Sequence, residues 1–433
     1  MVIYSISILY NHGIMKKLIL LFILISAALP IFAQRIKTEI DHILRKVPPK
    51  SNYGILIINP MKEDTIYAHN VNTPLIPASN TKLFTTAVAI YFLGPEYPIS
   101  TKFFTDAKRQ GSKKLDGNLY LKGYGNGLFS DEDLDNMISD LKNKGIKEIN
   151  GNIIGDDTFF DDVYSRADWI EDEKKTVSLP PVSALVLNKN KYEVRKKIRK
   201  KRYKFVTEFY SDPPLKIAEV LYKKLKAASI TVNGIFKKGQ TPNSAIEIGV
   251  HSIKLKDYLK IVNKRSDNFL AECLFKIIGA VSSGEEGSAF YASQTINKFL
   301  FDNDVPSEVT KIVDGSGLSR NNQVSVGSIV GLLEKIYFDI RYYDTFYNSL
   351  STAGTDGTLR NRMKDPLLDV NFRGKTGTLN GASSVSGYLK LKNGDDIIIS
   401  MIFEFSKNSN NYYRNVEDEI IEKLAGFDYK PGD

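Results

Sequence analysis

Along the chain the apolar positions fall into short β-branched runs at both ends and longer apolar stretches between them. Gly54–Ile58 is such a run, Asn59-Pro60 breaks it and Thr65–Ala68 resumes, which predicts strand, turn, strand. Leu83–Leu93 is apolar almost throughout and stops at Gly94-Pro95, which predicts a buried helix beginning near Ser79. Leu255–Val262 and Phe269–Ile278 predict two further helices on either side of Ser266-Asp267-Asn268. Lys375–Thr378, Val385–Leu391 and Ile397–Phe405 predict three strands, with Asn393-Gly394 as the hairpin turn between the last two. Two early strands, three late ones and helices between them predict an α+β fold. Its core is an antiparallel five-stranded sheet built from both chain ends and flanked by helices.

From about Ser100 to Gly249 the pattern changes to short β-like pieces alternating with polar helical ones. This block is expected to be a mostly β inserted domain over 101–249, interrupting a discontinuous domain made of 34–100 and 250–433. Within it Asp131–Lys144 reads as an amphipathic helix ending at Gly145. Gly123, Gly125 and Gly127 lack the spacing and context of a dinucleotide site and read as loop geometry.

Composition adds three constraints. Met15-Lys16-Lys17, the apolar run Leu18–Leu29 and Pro30-Ile31-Phe32-Ala33 fit an export signal over 1–33. The run is short for a membrane span, an uncleaved anchor being the alternative. The one cysteine, Cys273, excludes a disulfide framework and reads as a buried core thiol. The net charge of +9 is concentrated between Lys189 and Lys204, where ten Lys or Arg face one acid, Glu193. That run reads either as a solvated hairpin or as a weak contact with an anionic membrane or wall surface. An exported chain gives no reason to expect nucleic acid as a partner.

The candidate chemistry lies in three short motifs. In Ser79-Asn80-Thr81-Lys82 the serine and lysine sit one helical turn apart on the same face. A lysine kept neutral by burial can take the serine proton. A second Ser-x-x-Lys, Ser139–Lys142, falls in a polar helix and reads as surface. Ser266-Asp267-Asn268 lies between two predicted helices, where it either points a hydroxyl and an amide at a cleft or simply caps a helix. Lys375-Thr376-Gly377-Thr378 places a cation and a hydroxyl on an edge strand, suited to a carboxylate, with Gly377 allowing close backbone approach.

In this order the motifs are those shared by class A β-lactamases and penicillin-binding proteins. The chain further resembles the class C low-mass penicillin-binding proteins, the D-alanyl-D-alanine carboxypeptidase/endopeptidase family. The likeness rests on Pro77–Leu83, Asp314–Arg320, Ala353–Leu359 and Gly374–Leu379, and within the insert on Gly155–Phe160, Trp169 and Ser183–Asn188. It runs through about residues 36–425. It implies a β-lactamase/transpeptidase-like fold and hydrolysis of peptidoglycan stem peptides through an acyl-enzyme on Ser79. β-Lactams would be covalent inhibitors, and no cofactor or metal would be needed. Lys82 would be the base, and Ser266 would relay a proton to the leaving amine. Asn268 would hold substrate backbone, and Lys375 and Thr376 would receive the terminal carboxylate, beside Gly377. The backbone N–H groups of Ser79 and Thr378 would form the oxyanion hole. Asp156 and Arg362 fall where the family contacts the stem-peptide side chain, or are members of structural ion pairs. A further subdomain common in the family is reduced or missing between Asn188 and Ser211.

Two competing readings remain at this level. A β-lactamase would share the three motifs, but the large insert and Asp314–Arg320 argue against it. A wall-binding protein would rely on Lys189–Lys204, and the intact motif set argues against that. No Gly-x-Ser-x-Gly elbow or His-Glu-x-x-His helix is present, and His42, His69 and His251 lack metal-ligand spacing. The C-terminal Tyr429–Asp433 shows no amphipathic anchor. The expected location is periplasmic, soluble or loosely membrane-associated.

Overall fold

The strands from the two chain ends do meet in one sheet, and the reason is visible in their side chains. In Asp396–Glu404 every position from Ile397 to Phe403 is buried. Ile397, Ile399, Met401 and Phe403 face one apolar layer, while Ile398 and Ile402 face another. A strand alternates its side chains between two faces, so a continuous apolar run requires cover on both. One cover is formed by the helix over 36–44 and the helix Asn410–Ala425. The other is formed by Thr81–Leu93, Asn268–Ser283 and Val326–Tyr337.

The computed structural model describes residues 36–108, 113–169, 179–199, 202–365 and 370–426. The expected export signal over 1–33 and Tyr429–Asp433 lie outside them. The sheet is antiparallel, in the order Ser351–Thr352, Asn371–Leu379, Ala382–Lys390, Asp396–Glu404, Asn52–Asn59, Asp64–His69. It therefore has six strands rather than five. The sixth is a two-residue strand pairing only with Gly374 and Arg373, too short to show any periodicity. From Lys375 onwards the Asn371–Leu379 strand is the sheet edge.

The intervening region holds a five-stranded sheet, Phe236–Lys238, Ile153–Asp156, Leu119–Gly123, Pro98–Thr105, Ile246–Lys254. The helices Asp131–Asn143 and Pro213–Ala227 pack on it around a separate apolar core. Ser130 and Asp133 close a capping box at the first of these helices. Pro98–Thr105 pairs with Ile246–Lys254 from end to end, so cuts at 100 and 250 pass through both strands. We propose a two-part organisation in which this strand pair is the neck of the insert. The basic run forms an antiparallel hairpin, Lys191–Arg199 with Arg202–Phe209, joined almost directly to Pro213–Ala227. Cys273 is fully buried.

Candidate active site

Ser79 sits in a single 3-10 turn, Ala78–Asn80, that leads into the helix Thr81–Leu93. The turn is held from beneath by a buried polar ladder on the sheet. Ser384 Oγ donates to the Pro77 carbonyl at 2.8 Å, Asn80 Nδ2 to Ser386 Oγ at 3.0 Å, and Ser386 Oγ to Ser400 Oγ at 2.9 Å. Ala78 has φ +47°, in the left-handed region that costs a non-glycine residue about 1 kcal/mol or more. A neighbouring loop locks this geometry. Gly317, at φ +81°, passes so close that a Cβ there would lie 1.9 Å from the Ala78 carbonyl oxygen. That loop belongs to the Asp314–Arg320 segment singled out in the sequence.

Lys82 Nζ lies 3.0 Å from Ser79 Oγ and 2.7 Å from Asn268 Oδ1, and it also donates to the Ser316 carbonyl. A neutral amine has two N–H donors and one lone pair. Asn268 and Ser316 take the two donors, which leaves the lone pair for the Ser79 proton. Burial pushes Lys82 down to about 8, against the opposing pull of Asp314, Glu272 and Asp267. The side chain is fully buried, so desolvation of the ammonium is the dominant effect.

Ser266 also stands in the left-handed region, φ +52°, and its Oγ accepts from Lys375 Nζ at 2.8 Å. The cap of the following helix is Asp267, which accepts from Leu270 N at 3.0 Å, so Ser266 is free of that duty. Asp267 is in turn ion-paired to Lys189 at the root of the basic hairpin. Burial, and then the charge of Lys82, hold Lys375 well below the usual lysine range. The Asn371–Leu379 strand runs against the nucleophile turn: a Cβ on Gly377 would meet the Pro77 carbonyl at 2.6 Å and Ser79 N at 3.0 Å. Thr376 Oγ1 donates to Thr358 Oγ1 at 2.8 Å.

Ser79, Ser266, Asn268, Thr376 and Thr378 line one cleft of about 560 Å³, with Arg362, Arg414 and Asp418 on its wall. Arg362 is held by Asp418 and Glu417 at 2.6 and 2.8 Å, so it is both a cleft residue and an ion-pair member. Asp156 is not among the cleft residues. Its buried carboxylate accepts from Thr158 N and Oγ1 and from Thr241 N, which gives it a structural task within the insert. A larger cleft, about 850 Å³, lies by the opposite sheet edge near Asp64 and Glu334, and among the described residues no Ser, Cys or His lines it.

Sequence reasoning missed three contributors. Glu272, buried one turn after Asn268, accepts from Ser316 N at 2.7 Å and so fixes the carbonyl that holds Lys82. Its signal was an acid inside an apolar helix. Burial and then Asp314 push it up to about 8. Thr358 and Arg414 reach the cleft from distant elements. Arg414 Nη2 donates to Thr378 Oγ1 at 2.8 Å, and nothing local marks an arginine on an amphipathic helix for that place.

Residues 36–208 and 201–426 match the model of the D-Ala-D-Ala carboxypeptidase 3 (S13) family. A D-alanyl-D-alanine carboxypeptidase, DacB, of Haemophilus influenzae is 24% identical over 86% of this chain and 89% of its own. The crystal structure of penicillin binding protein 4 (dacB) from Haemophilus influenzae superposes with a TM-score of 0.79 at 22% identity, covering 90% of this chain and 99% of that one. The same protein complexed with a β-lactam gives 0.74 at 20% identity over the same shares.

Proposed function

The chain belongs to the D-Ala-D-Ala carboxypeptidase 3 (S13) family and is a hydrolase of the penicillin-binding class; from that premise we propose that its acyl-enzyme forms on Ser79. Lys82 takes the Ser79 proton as Oγ attacks the carbonyl of the penultimate D-alanine. The backbone N–H groups of Ser79 and Thr378 stabilise the oxyanion. Ser266 passes a proton to the leaving D-alanine amine, and Asn268 holds substrate backbone. Lys375 and Thr376 bind the terminal carboxylate, which restores to Lys375 the charge that burial opposes. Water then hydrolyses the ester, with Lys82 again the base.

The observation that carries this reading is the convergence of two buried lysines on two serines, Lys82 on Ser79 and Lys375 on Ser266. Arg362 supports a contact to the stem peptide through its place on the cleft wall. The structural bonds of Asp156 give it no such support. Among the described residues no helix is long and apolar enough to cross a membrane. The signal-like Met15–Ala33 supports export to the periplasm, and the basic hairpin supports weak contact with an anionic membrane or wall surface. Release of D-alanine from a diacyl-Lys-D-Ala-D-Ala peptide tests the activity. Turnover by the wild type and none by Ser79→Ala is expected, and equal turnover by both would overturn it.

A further inference from the structure

The hairpin formed by Lys191–Arg199 and Arg202–Phe209 carries the densest run of Lys and Arg in the sequence, and its two faces differ. Directly paired residues share a face. Tyr192 and Lys196 lie on one face, where both bond Glu208, at 2.9 and 2.6 Å. That face also stacks Tyr192 on Tyr210 at the hairpin root, 5.4 Å between ring centroids. The other face pairs Arg195 with Phe205 and Lys197 with Tyr203. Phe205 is 64% exposed and Tyr203 50%, and Ile198, at the bulge beside them, is 60% exposed. The Arg195 guanidinium lies over the Tyr203 ring at 4.0 Å. Arg195, Lys197, Arg199, Arg202 and Lys204 form no ion pair among the described residues.

Edge protection accounts for lysines on an isolated ribbon. It does not account for exposed Phe205, Tyr203 and Ile198 among them, since water penalises those side chains. An anionic polymer in water would neutralise the cations and leave the same apolar groups wet. A bilayer surface answers both. Aromatic and aliphatic side chains insert at the headgroup level, and flanking Lys and Arg stay with the lipid phosphates. A two-stranded ribbon is also marginal by itself and gains from a surface to lie on.

We infer that the distal end of this ribbon docks on anionic phospholipid, with Phe205, Tyr203 and Ile198 at headgroup depth, Arg195 and Lys197 beside them on the same face, and the Arg199–Arg202 pair at the tip reaching the phosphates. The inference deepens the export reading. It is independent of turnover, so its failure leaves the peptidase reading untouched. Docking would hold the cleft near the membrane through a ribbon whose root residue Lys189 is ion-paired to Asp267, next to Ser266.

Co-sedimentation of the mature chain with vesicles tests it. Wild type binds phosphatidylglycerol-containing vesicles and not pure phosphatidylcholine. R195Q/K197Q/R199Q/R202Q weakens that binding by about a hundredfold or more. Removing the apolar pair with Ile198→Ser and Phe205→Ser weakens it by about tenfold or more. Unchanged far-UV circular dichroism and melting of both variants show that the fold is intact. Three results would overturn the inference: no binding of wild type to anionic vesicles, wild-type binding by either variant, or capture by isolated wall material with no partition onto lipid.

Discussion

Lys375 Nζ donates to Ser266 Oγ at 2.8 Å across 109 residues of chain, tying the edge of the sheet to the loop between two helices. Lys375 Nζ has one further acceptor, the Thr376 carbonyl at 2.8 Å. Ser266 carries a left-handed backbone and leaves capping to Asp267, while Lys375 is fully buried at a cost in desolvation. On the proposed roles, the contact joins the carboxylate site and the proton relay in one unit.

Lys375→Ala is therefore expected to lower kcat/KM for a D-Ala-D-Ala peptide by about 10- to 100-fold, the range of a lost charged hydrogen bond. Amidating the terminal carboxylate should cost wild type a similar factor and the variant little more. Lys375→Arg should not rescue, since the buried slot fits a single ammonium. Equal sensitivity of wild type and variant to amidation would remove Lys375 from carboxylate binding.

With Lys82 as the proposed base, its titration sets the expected pH dependence. It acts as base only when neutral, and burial brings it down to about 8. The acylation rate should rise with pH through that region and fall below it. Lys82→Ala should lose about 10²- to 10⁴-fold, the usual worth of a general base. The rate of penicillin acylation against pH reads both effects.

Much of this site was legible because each motif is contiguous and flanked by strong patterns: Ser79 before an apolar helix, Lys375 on a strand, Ser266 between helices. What was not legible depends on packing between distant segments. Arg414 reaches Thr378 only because the last helix lies on the sheet. The strand Ser351–Thr352 is too short to alternate. The junctions at 100 and 250 fall inside Pro98–Thr105 and Ile246–Lys254, which pair with each other from distant parts of the chain, a relation no local pattern marks. The sequence left Ser266 open as a helix cap, and only the fold shows that Asp267 makes that cap instead.

Glu272 gives a stability test. Its folded-state value is raised from 4.5 to about 8, chiefly by burial. The folded state thus keeps a proton that the unfolded chain releases. Its contribution is fully present below about pH 4.5 and is lost as pH rises to about 8. Glu272→Gln keeps an acceptor for Ser316 N and cannot ionise. The variant should gain on wild type by a few degrees in Tm between about pH 5 and pH 9. A difference independent of pH would contradict a buried, titrating Glu272.

Gly317→Ala probes the lock on the nucleophile turn. A Cβ 1.9 Å from the Ala78 oxygen, at φ +81°, forces the turn or the loop to move. We expect a loss of about 1–3 kcal/mol in unfolding free energy. Acylation should slow more than that destabilisation explains at temperatures where the fold is intact. Slowing only near Tm would mean that the loop serves folding alone.

The central claim, an acyl-enzyme on Ser79, is tested most directly by intact-mass spectrometry after incubation with benzylpenicillin, wild type beside Ser79→Ala. One stable penicilloyl adduct on wild type and none on the variant is the predicted result. Adduct on both proteins would place the nucleophile elsewhere, and destruction of the drug without a persistent adduct would make the enzyme a β-lactamase instead.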